Sequence, residues 1–144
     1  MTGAAVVVPL LVELLEAEHA TVYGYGVLGA RLDTGPRRLA LLAYDSHRSR
    51  RDQLAVRLRA RGGDPEPPPP AYDVAVDDEA EALALAVRLE EGVAVRWRDL
   101  VAGTDDRQLR QLALAGLQEC AVRAAQWRRQ AGTSPATVAF PGVA

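Results

Sequence analysis

Apolar residues recur along this chain at alternating steps of three and four, the spacing of one face of an α-helix. The pattern predicts four helices, over residues 9–32, 36–61, 79–101 and 105–130. The third shows the pattern most clearly, and its predicted inward positions are Leu83, Val87, Glu90, Ala94, Trp97 and Val101. In the fourth, Glu119 falls on the flank of a core stripe formed by Leu109, Ala113, Gly116, Cys120 and Trp127. The fold class is therefore predicted to be all-α.

Glycine and proline mark where these helices begin and end. Pro9 suits the first turn of a helix, where its missing N–H needs no partner. Gly35-Pro36 separates the first two helices, and Gly103-Thr104 separates the last two. Because both breaks are short, each joins two neighbouring helices that run antiparallel. The sequence thus predicts two helical hairpins.

A long proline-rich segment, residues 62–77, connects the two hairpins. Pro65 and the run Pro67–Pro70 exclude helix and favour extended polyproline. At about 3.1 Å per residue the segment reaches on the order of 45 Å, which exceeds the roughly 37 Å length of such a helix. It can therefore return along the whole bundle and make the third helix parallel to the second, with a loose surface loop as the alternative. One long Pro-rich crossover between two hairpins predicts a ferritin-like four-helix bundle.

Length and composition limit the class of protein. The 144 residues fit a single domain, 1–144, which is large enough to bury a core without disulfides. Cys120 is the only cysteine, so no internal disulfide can form and a reducing compartment is favoured. The apolar start soon meets Glu13 and Glu16, which argues against a signal peptide or a membrane span, so a cytoplasmic protein is predicted. The net charge of −2 argues against nucleic acid as a partner.

Polar residues interrupt the predicted inward stripes near the middle of the helices, at Glu18, His47 and Glu90. Glu119 falls at a similar height when the hairpins fold. Bundles that bind two metal ions draw one Glu from each of two helices and a Glu-x-x-His pair from each of the other two. The middle of this bundle is therefore the place to look for a site.

The ligand set for two metal ions is incomplete. Tyr44 stands where the second helix would supply Glu, and Val122 stands where the fourth would supply His. Three or four protein ligands remain, where a full two-metal site has about six. Two carboxylates and an imidazole would still suit one Fe, Mn or Zn ion. The residual candidates are Glu18, His47, Glu90 and Glu119.

A metal-free interpretation competes with this one, because buried carboxylates must be paired with cations or neutralised. Arg51 lies one turn after His47, and Arg123 lies two turns after the core residue Gly116. The predicted buried polar cluster consists of Glu18, His47, Arg51, Glu90 and Arg123. This interpretation predicts no cofactor, no metal ligand and no catalytic residue.

Several separate motifs resemble a known family. They are Glu18–Gly26, His47–Asp52, Leu89-Glu90 with Trp97-Arg98, Arg123 with Trp127-Arg128, and Ala139–Gly142. Together they are similar to an actinobacterial ferritin-like family of unknown function, DUF4439, over nearly the whole chain. The resemblance implies a ferritin-like four-helix bundle and brings no established activity.

These observations lead to an expected role and an alternative. We expect a non-enzymatic scaffold or interaction module that has lost di-iron chemistry, and a homodimer, since such bundles commonly associate through helix faces. The alternative is a metal-binding protein or oxidoreductase that uses the residual carboxylate and histidine ligands. Phe140, in the tail 133–144, is expected to anchor the tail against the bundle.

Overall fold

The computed structural model describes residues 2–143 and contains, within them, four α-helices, one short 3-10 turn and no β-strand. The helices are α1 (Thr2–Leu28), α2 (Thr34–Arg59), α3 (Glu79–Gly103) and α4 (Arg107–Gln130), and the 3-10 turn Gly29–Arg31 extends α1. The all-α class and the four helices predicted from the sequence are confirmed. Within residues 2–143, the long segments without helix lie between α2 and α3 and after α4.

The start of α1 differs from the prediction. The helix begins at Thr2 and runs through Pro9, whereas Pro9 was expected in its first turn. Val7 explains the difference, because its side chain is buried in the core and keeps the upstream turns helical. A proline inside a helix leaves the carbonyl four residues earlier without its partner. Here that residue is Ala5, which is exposed, so water can satisfy its carbonyl.

Aspartates cap the second pair of helices. Asp78 accepts a hydrogen bond from the Glu81 backbone N–H at 2.8 Å, and the Glu81 side chain accepts one from the Asp77 N–H at 2.8 Å. This is a capping box, with its return bond displaced by one residue. Asp106 caps α4 by accepting from the Leu109 N–H at 3.0 Å. Both caps satisfy N–H groups that have no partner inside the helix.

The helix directions follow from contacts at the two ends of the bundle. Gly103 packs against Leu10, while the Asp33 N–H donates to Glu79 at the opposite end, at 3.2 Å. These contacts make α1 and α3 antiparallel. Since the short link at Leu32-Asp33 also makes α1 and α2 antiparallel, α2 and α3 run in the same direction. α1 and α3 form the central pair, with α2 packed on α1 and α4 packed on α3.

The segment between α2 and α3 carries no helix or strand between residues 60 and 78. Its second half lies against the first helix. The Tyr72 ring packs on Tyr23 with 5.2 Å between the ring centroids, and Arg31 donates to the Val76 carbonyl at 3.0 Å. Val76 itself is buried. These contacts fix the end of the segment, while its polyproline conformation and its course as a crossover stay predictions.

The interior consists of two apolar clusters separated by a polar layer. One cluster joins the beginning of α1 to the ends of α2 and α3 and the beginning of α4 through Leu11, Leu14, Leu54, Leu58, Trp97, Leu100 and Leu109. The other joins the opposite ends of the helices through Leu28, Leu32, Ala40, Ala82, Leu83 and Trp127. The polar layer contains the buried residues Glu18, His47 and Glu90. Charged groups thus occupy the middle of the bundle.

The C-terminal tail is held differently from the prediction. Phe140 is 75% exposed, so the expectation that it anchors the tail is wrong. Arg128 holds the tail by donating to the Ala136 carbonyl at 3.1 Å. Gly142, at φ +82°, lies so close to α3 that a Cβ there would stand 2.9 Å from the Ala94 carbonyl oxygen. A residue with no side chain makes the close contact, and the neighbouring phenyl ring faces outward.

Membrane insertion finds no support in these helices. Within residues 2–143, none of them combines the length and the apolar character that a membrane crossing requires. Glu13 and Glu16 interrupt the apolar start of α1 and are exposed. The cytoplasmic location stays a prediction.

Candidate functional site

The polar layer is built on a histidine that bridges two helices. His47 of α2 lies between Glu18 of α1 and Glu90 of α3, and all three side chains are fully buried. His47 Nδ1 is 2.6 Å from Glu18 Oε2, and His47 Nε2 is 2.9 Å from Glu90 Oε1. Each residue occupies a position on the inward stripe of its helix, which explains why the three meet at one height.

The charge state of His47 follows from its two partners. Burial by itself lowers the pKa of His47, but the charges and hydrogen bonds of Glu18 and Glu90 outweigh burial and raise the pKa to about 9. At neutral pH the ring is therefore an imidazolium. Both of its N–H groups donate, one to each carboxylate.

Glu90 is the hub of the layer. Its Oε1 accepts three hydrogen bonds, from the Tyr25 hydroxyl at 2.6 Å, His47 Nε2 at 2.9 Å and Arg123 Nε at 2.9 Å. Burial alone raises the pKa of Glu90, but the hydrogen bond and charge of His47, together with the Arg123 charge, hold it below its usual value. The ionised carboxylate is therefore the stable form at neutral pH.

Three aromatic residues complete the layer. Trp97 donates its indole N–H to Glu18 Oε1 at 3.2 Å, and Trp127 donates its own to the Tyr25 hydroxyl at 2.7 Å. Burial, followed by the charge of Glu90, raises the pKa of Tyr25 well above its ordinary value, so Tyr25 stays neutral and donates. The helical periodicity predicts inward positions for Trp97 and Trp127 but gives them no polar role. The available signal was that a buried Trp or Tyr usually finds a partner for its polar group.

The charges in the layer balance. Glu18 and Glu90 supply two negative charges, and His47 and Arg123 supply two positive ones. Arg123 also donates to the Ser46 hydroxyl at 3.2 Å, which fixes the guanidinium on the α2 side. The layer is thus neutral in total, as a buried group of charges must nearly be.

Two residues that the sequence singled out lie outside this layer. Arg51 does not join the cluster, and the prediction that it would do so is corrected. Its guanidinium leaves α2 on the flank that faces α1 and pairs with Asp52 at 2.8 Å. Burial is the main cause of the lowered pKa of His19 on α1, and the positive charge of Arg51 is the second. This effect on an α1 residue indicates that Arg51 lies on that flank. Glu119 lies at the rim, partly exposed, and forms an ion pair with Arg50.

The residues present do not fit the two-metal centre of ferritin-like bundles, which takes about six protein ligands. Within residues 2–143, no group of three or more His, Cys, Asp or Glu side chains is arranged to hold a metal ion. Both ring nitrogens of His47 are engaged by carboxylates, and Arg123 brings a positive charge to the Glu90 oxygen. A cation would have to displace one of these partners.

Comparisons with known proteins give a family and a solved relative. Residues 11–144 match the family model described as "Domain of unknown function (DUF4439)". The crystal structure of a conserved hypothetical protein, rv2844, from Mycobacterium tuberculosis is similar, with a TM-score of 0.87 and 37% sequence identity. The match covers 97% of this chain and 100% of that one. No curated protein matches the chain.

Proposed function

This chain belongs to the family described as a domain of unknown function (DUF4439), as its motifs predicted, and on this basis we propose a function. We propose that the protein is a ferritin-like bundle without a metal centre. In this proposal the bundle is a non-enzymatic scaffold or interaction module. One observation carries the proposal: the Arg123 guanidinium lies 2.9 Å from Glu90 Oε1, at a carboxylate that a metal ion would need. Imidazolium and guanidinium supply the positive charge that metal ions supply in other bundles.

The state of His47 supports the same proposal. A histidine binds metal as the neutral imidazole, through a ring nitrogen that carries no proton. With a pKa of about 9, His47 must lose a proton first, which at pH 7 costs about 3 kcal/mol. It must also give up its hydrogen bond to Glu18 or Glu90. The proton and hydrogen bonds of His47 therefore oppose metal binding, whatever the positions of the other ligands.

Elemental analysis tests this proposal. The protein is purified without chelator and measured as isolated, and again after anaerobic incubation with Fe(II), Mn(II) and Zn(II). We expect no stoichiometric metal in either preparation. The control is the isosteric Glu18→Gln, Glu90→Gln double variant, with its fold checked by circular dichroism. One or two metal ions per chain, lost in that variant, would overturn the proposal and favour the alternative of a metal-binding protein or oxidoreductase.

The proposed interaction includes a second copy of this chain. α2 and α4 pack less closely than the other neighbouring helices, although side chains such as Arg50 and Glu119 bridge them, and a groove between them is lined by Leu42 and Val122. These side chains are 61% and 58% exposed, which leaves apolar surface on two neighbouring helices uncovered. A homodimer that pairs this groove with its own copy across a two-fold axis would cover both.

The oligomeric state tests the dimer. We expect sedimentation equilibrium to give a dimer for the unmodified chain and a monomer for Val122→Glu. The matched control is Val56→Glu, since Val56 is 62% exposed and lies outside the groove. A monomer for the unmodified chain, or a dimer that persists in Val122→Glu, would contradict the arrangement.

A further inference from the structure

A cleft of about 900 Å³ opens between α3, α4 and the C-terminal tail. Small and apolar side chains form most of its walls, including Ala94, Val95, Ala121, Ala124, Val138 and Pro141. Glu90 of the polar layer also lines the cleft. Its volume falls within the range of about 300–1,000 Å³ that is usual for sites that hold small molecules. The cleft therefore extends from the surface to the wall behind which the Glu90 side chain is buried.

One oxygen of Glu90 has no donor, but the side chain is fully buried, so an occupant of this cleft reaches that oxygen when the side chains that cover it shift. Oε1 carries three hydrogen bonds, whereas Oε2 is buried and has no hydrogen-bond partner anywhere in the described chain, residues 2–143. The Cys120 thiol lies near Glu90, and burial, the Glu90 charge and a contact of the thiol with the Glu90 side chain raise the pKa of that thiol, but this contact falls short of hydrogen-bond geometry at Oε2. A buried carboxylate oxygen without a donor is unfavourable, so a donor group entering the cleft gains a charge-assisted hydrogen bond.

The charge balance determines which donor fits. Glu18 and Glu90 are already compensated by His47 and Arg123, so an ammonium group at Oε2 would add an uncompensated positive charge. A hydroxyl group adds none. The walls favour an apolar body behind that hydroxyl, because small and apolar side chains form most of them, although Arg88, Glu91, Arg128 and Arg129 also line the cleft.

We propose that this cleft binds a small apolar molecule with one neutral hydroxyl group, of the phenol or alcohol class, which donates to Glu90 Oε2. This site goes beyond the scaffold role. It rests on the proposed metal-free centre in one respect, since a metal ion on Glu90 would occupy the same oxygen. The ion pair of Arg128 with Glu91 and the bond of Arg128 to Ala136 hold the tail in place as one wall.

Binding of 1-naphthol, measured by calorimetry and by amide chemical shifts, tests the site. The comparison compounds are 1-methylnaphthalene, which has the same body without a donor, and 1-naphthylmethylamine, which carries a cation. We expect 1-naphthol to bind at least tenfold more tightly than either compound, with shifted amide resonances confined to α3, α4 and the tail. Equal affinity for 1-naphthol and 1-methylnaphthalene, or no binding of 1-naphthol, would overturn the proposal.

A variant that fills the cleft keeps the test independent of the charged layer. Ala121→Phe places a ring in the cleft, and the matched control Ala115→Phe places one on the same helix, in the α2–α4 groove. Both alanines are half-buried. We expect Ala121→Phe to weaken 1-naphthol binding at least tenfold and Ala115→Phe to leave it unchanged. The same loss in both variants would refute the assignment to this cleft.

Metal content is measured on the same preparations, so the two proposals fail separately. Stoichiometric metal together with normal 1-naphthol binding would overturn the metal-free bundle and show that the metal is held by atoms other than Glu90 Oε2. Metal-free protein that does not discriminate between the naphthalenes would overturn the ligand site alone.

Discussion

Replacing Glu90 by Gln removes one negative charge from the polar layer and keeps its shape. The amide oxygen can still accept hydrogen bonds at the position of Oε1, where Tyr25, His47 and Arg123 donate. The two cationic donors, however, lose the charge of their acceptor. The variant therefore leaves Glu18 as the buried carboxylate for His47 and Arg123, with the partly exposed Glu119 4.0 Å from Arg123, so one buried positive charge lacks a buried partner.

The size of the effect follows from those contacts. A hydrogen bond to a charged group contributes about 1.5–3 kcal/mol and a neutral one about 1 kcal/mol, so the two cationic donors together lose about 1–4 kcal/mol. Breaking a buried ion pair, with one charge left unpaired, costs about 3–5 kcal/mol. We expect Glu90→Gln to lower the free energy of unfolding by about 3–5 kcal/mol. For a domain of this size that corresponds to a Tm lower by on the order of 10 °C.

Urea unfolding followed by circular dichroism at pH 7 measures this loss. The matched control is Glu13→Gln on α1, whose side chain is 51% exposed and pairs with Arg96, itself 45% exposed. An exposed pair contributes about 0–1 kcal/mol, so the control is expected to change little. If Glu90→Gln loses less than about 1 kcal/mol, as the control does, the ion-paired layer is refuted.

Three further predictions concern pH, packing and the arginines. Folding raises the pKa of His47 from 6.5 to about 9, so between these pH values the native state binds more protons than the unfolded state. The free energy of unfolding is therefore highest below about pH 6.5 and falls by about 3 kcal/mol as the pH rises through 9. Urea unfolding at several pH values measures this trend, which is expected to be absent in His47→Gln. Gly116→Ala places a Cβ 2.5 Å from the buried Trp97 ring and is expected to lower the free energy of unfolding by about 1–3 kcal/mol. The control Gly26→Ala meets no atom within 4 Å and is expected to raise it by about 0.5–1 kcal/mol. Equal effects of the two variants in thermal melts would contradict the packing. Arg123→Ala is expected to cost about 3–5 kcal/mol and Arg51→Ala less than about 1 kcal/mol in urea unfolding, and the reverse order would restore Arg51 to the cluster.

The sequence predicted the architecture because the helical stripes are long and the breaks between them are short. Glu18, His47 and Glu90 could be brought to one height from periodicity alone, since each replaces an apolar residue on its own stripe. The capping box at Asp78 could be found in the same way, because it depends on residues three apart in the chain. Each of these features depends on residues close together in the sequence, so it can be predicted without knowing how the helices pack.

The predictions that were wrong depend on which side chains of neighbouring helices come into contact. Arg51 and Arg123 are both one or two turns from a core position, and their long side chains can reach several directions, so only the packed helices decide which one meets Glu90. Phe140 carries the strongest apolar signal in the tail, yet the tail backbone approaches α3 at Gly142, where only a residue without a side chain fits. The unpartnered Oε2 of Glu90 could not be inferred at all, because it results from three donors converging on the other oxygen.

The polar layer between the two apolar clusters has a consequence for how the helices align. Apolar side chains make no directional bonds, so apolar packing specifies the alignment of a helix along its neighbours through shape, whereas buried charges add a directional requirement. Sliding α3 by one turn, about 5.4 Å, would move Glu90 away from His47 and Arg123 and set its carboxylate against side chains of an apolar cluster. Each such shift leaves a buried charge without its partner, so the polar layer favours a single alignment of the four helices along the bundle axis.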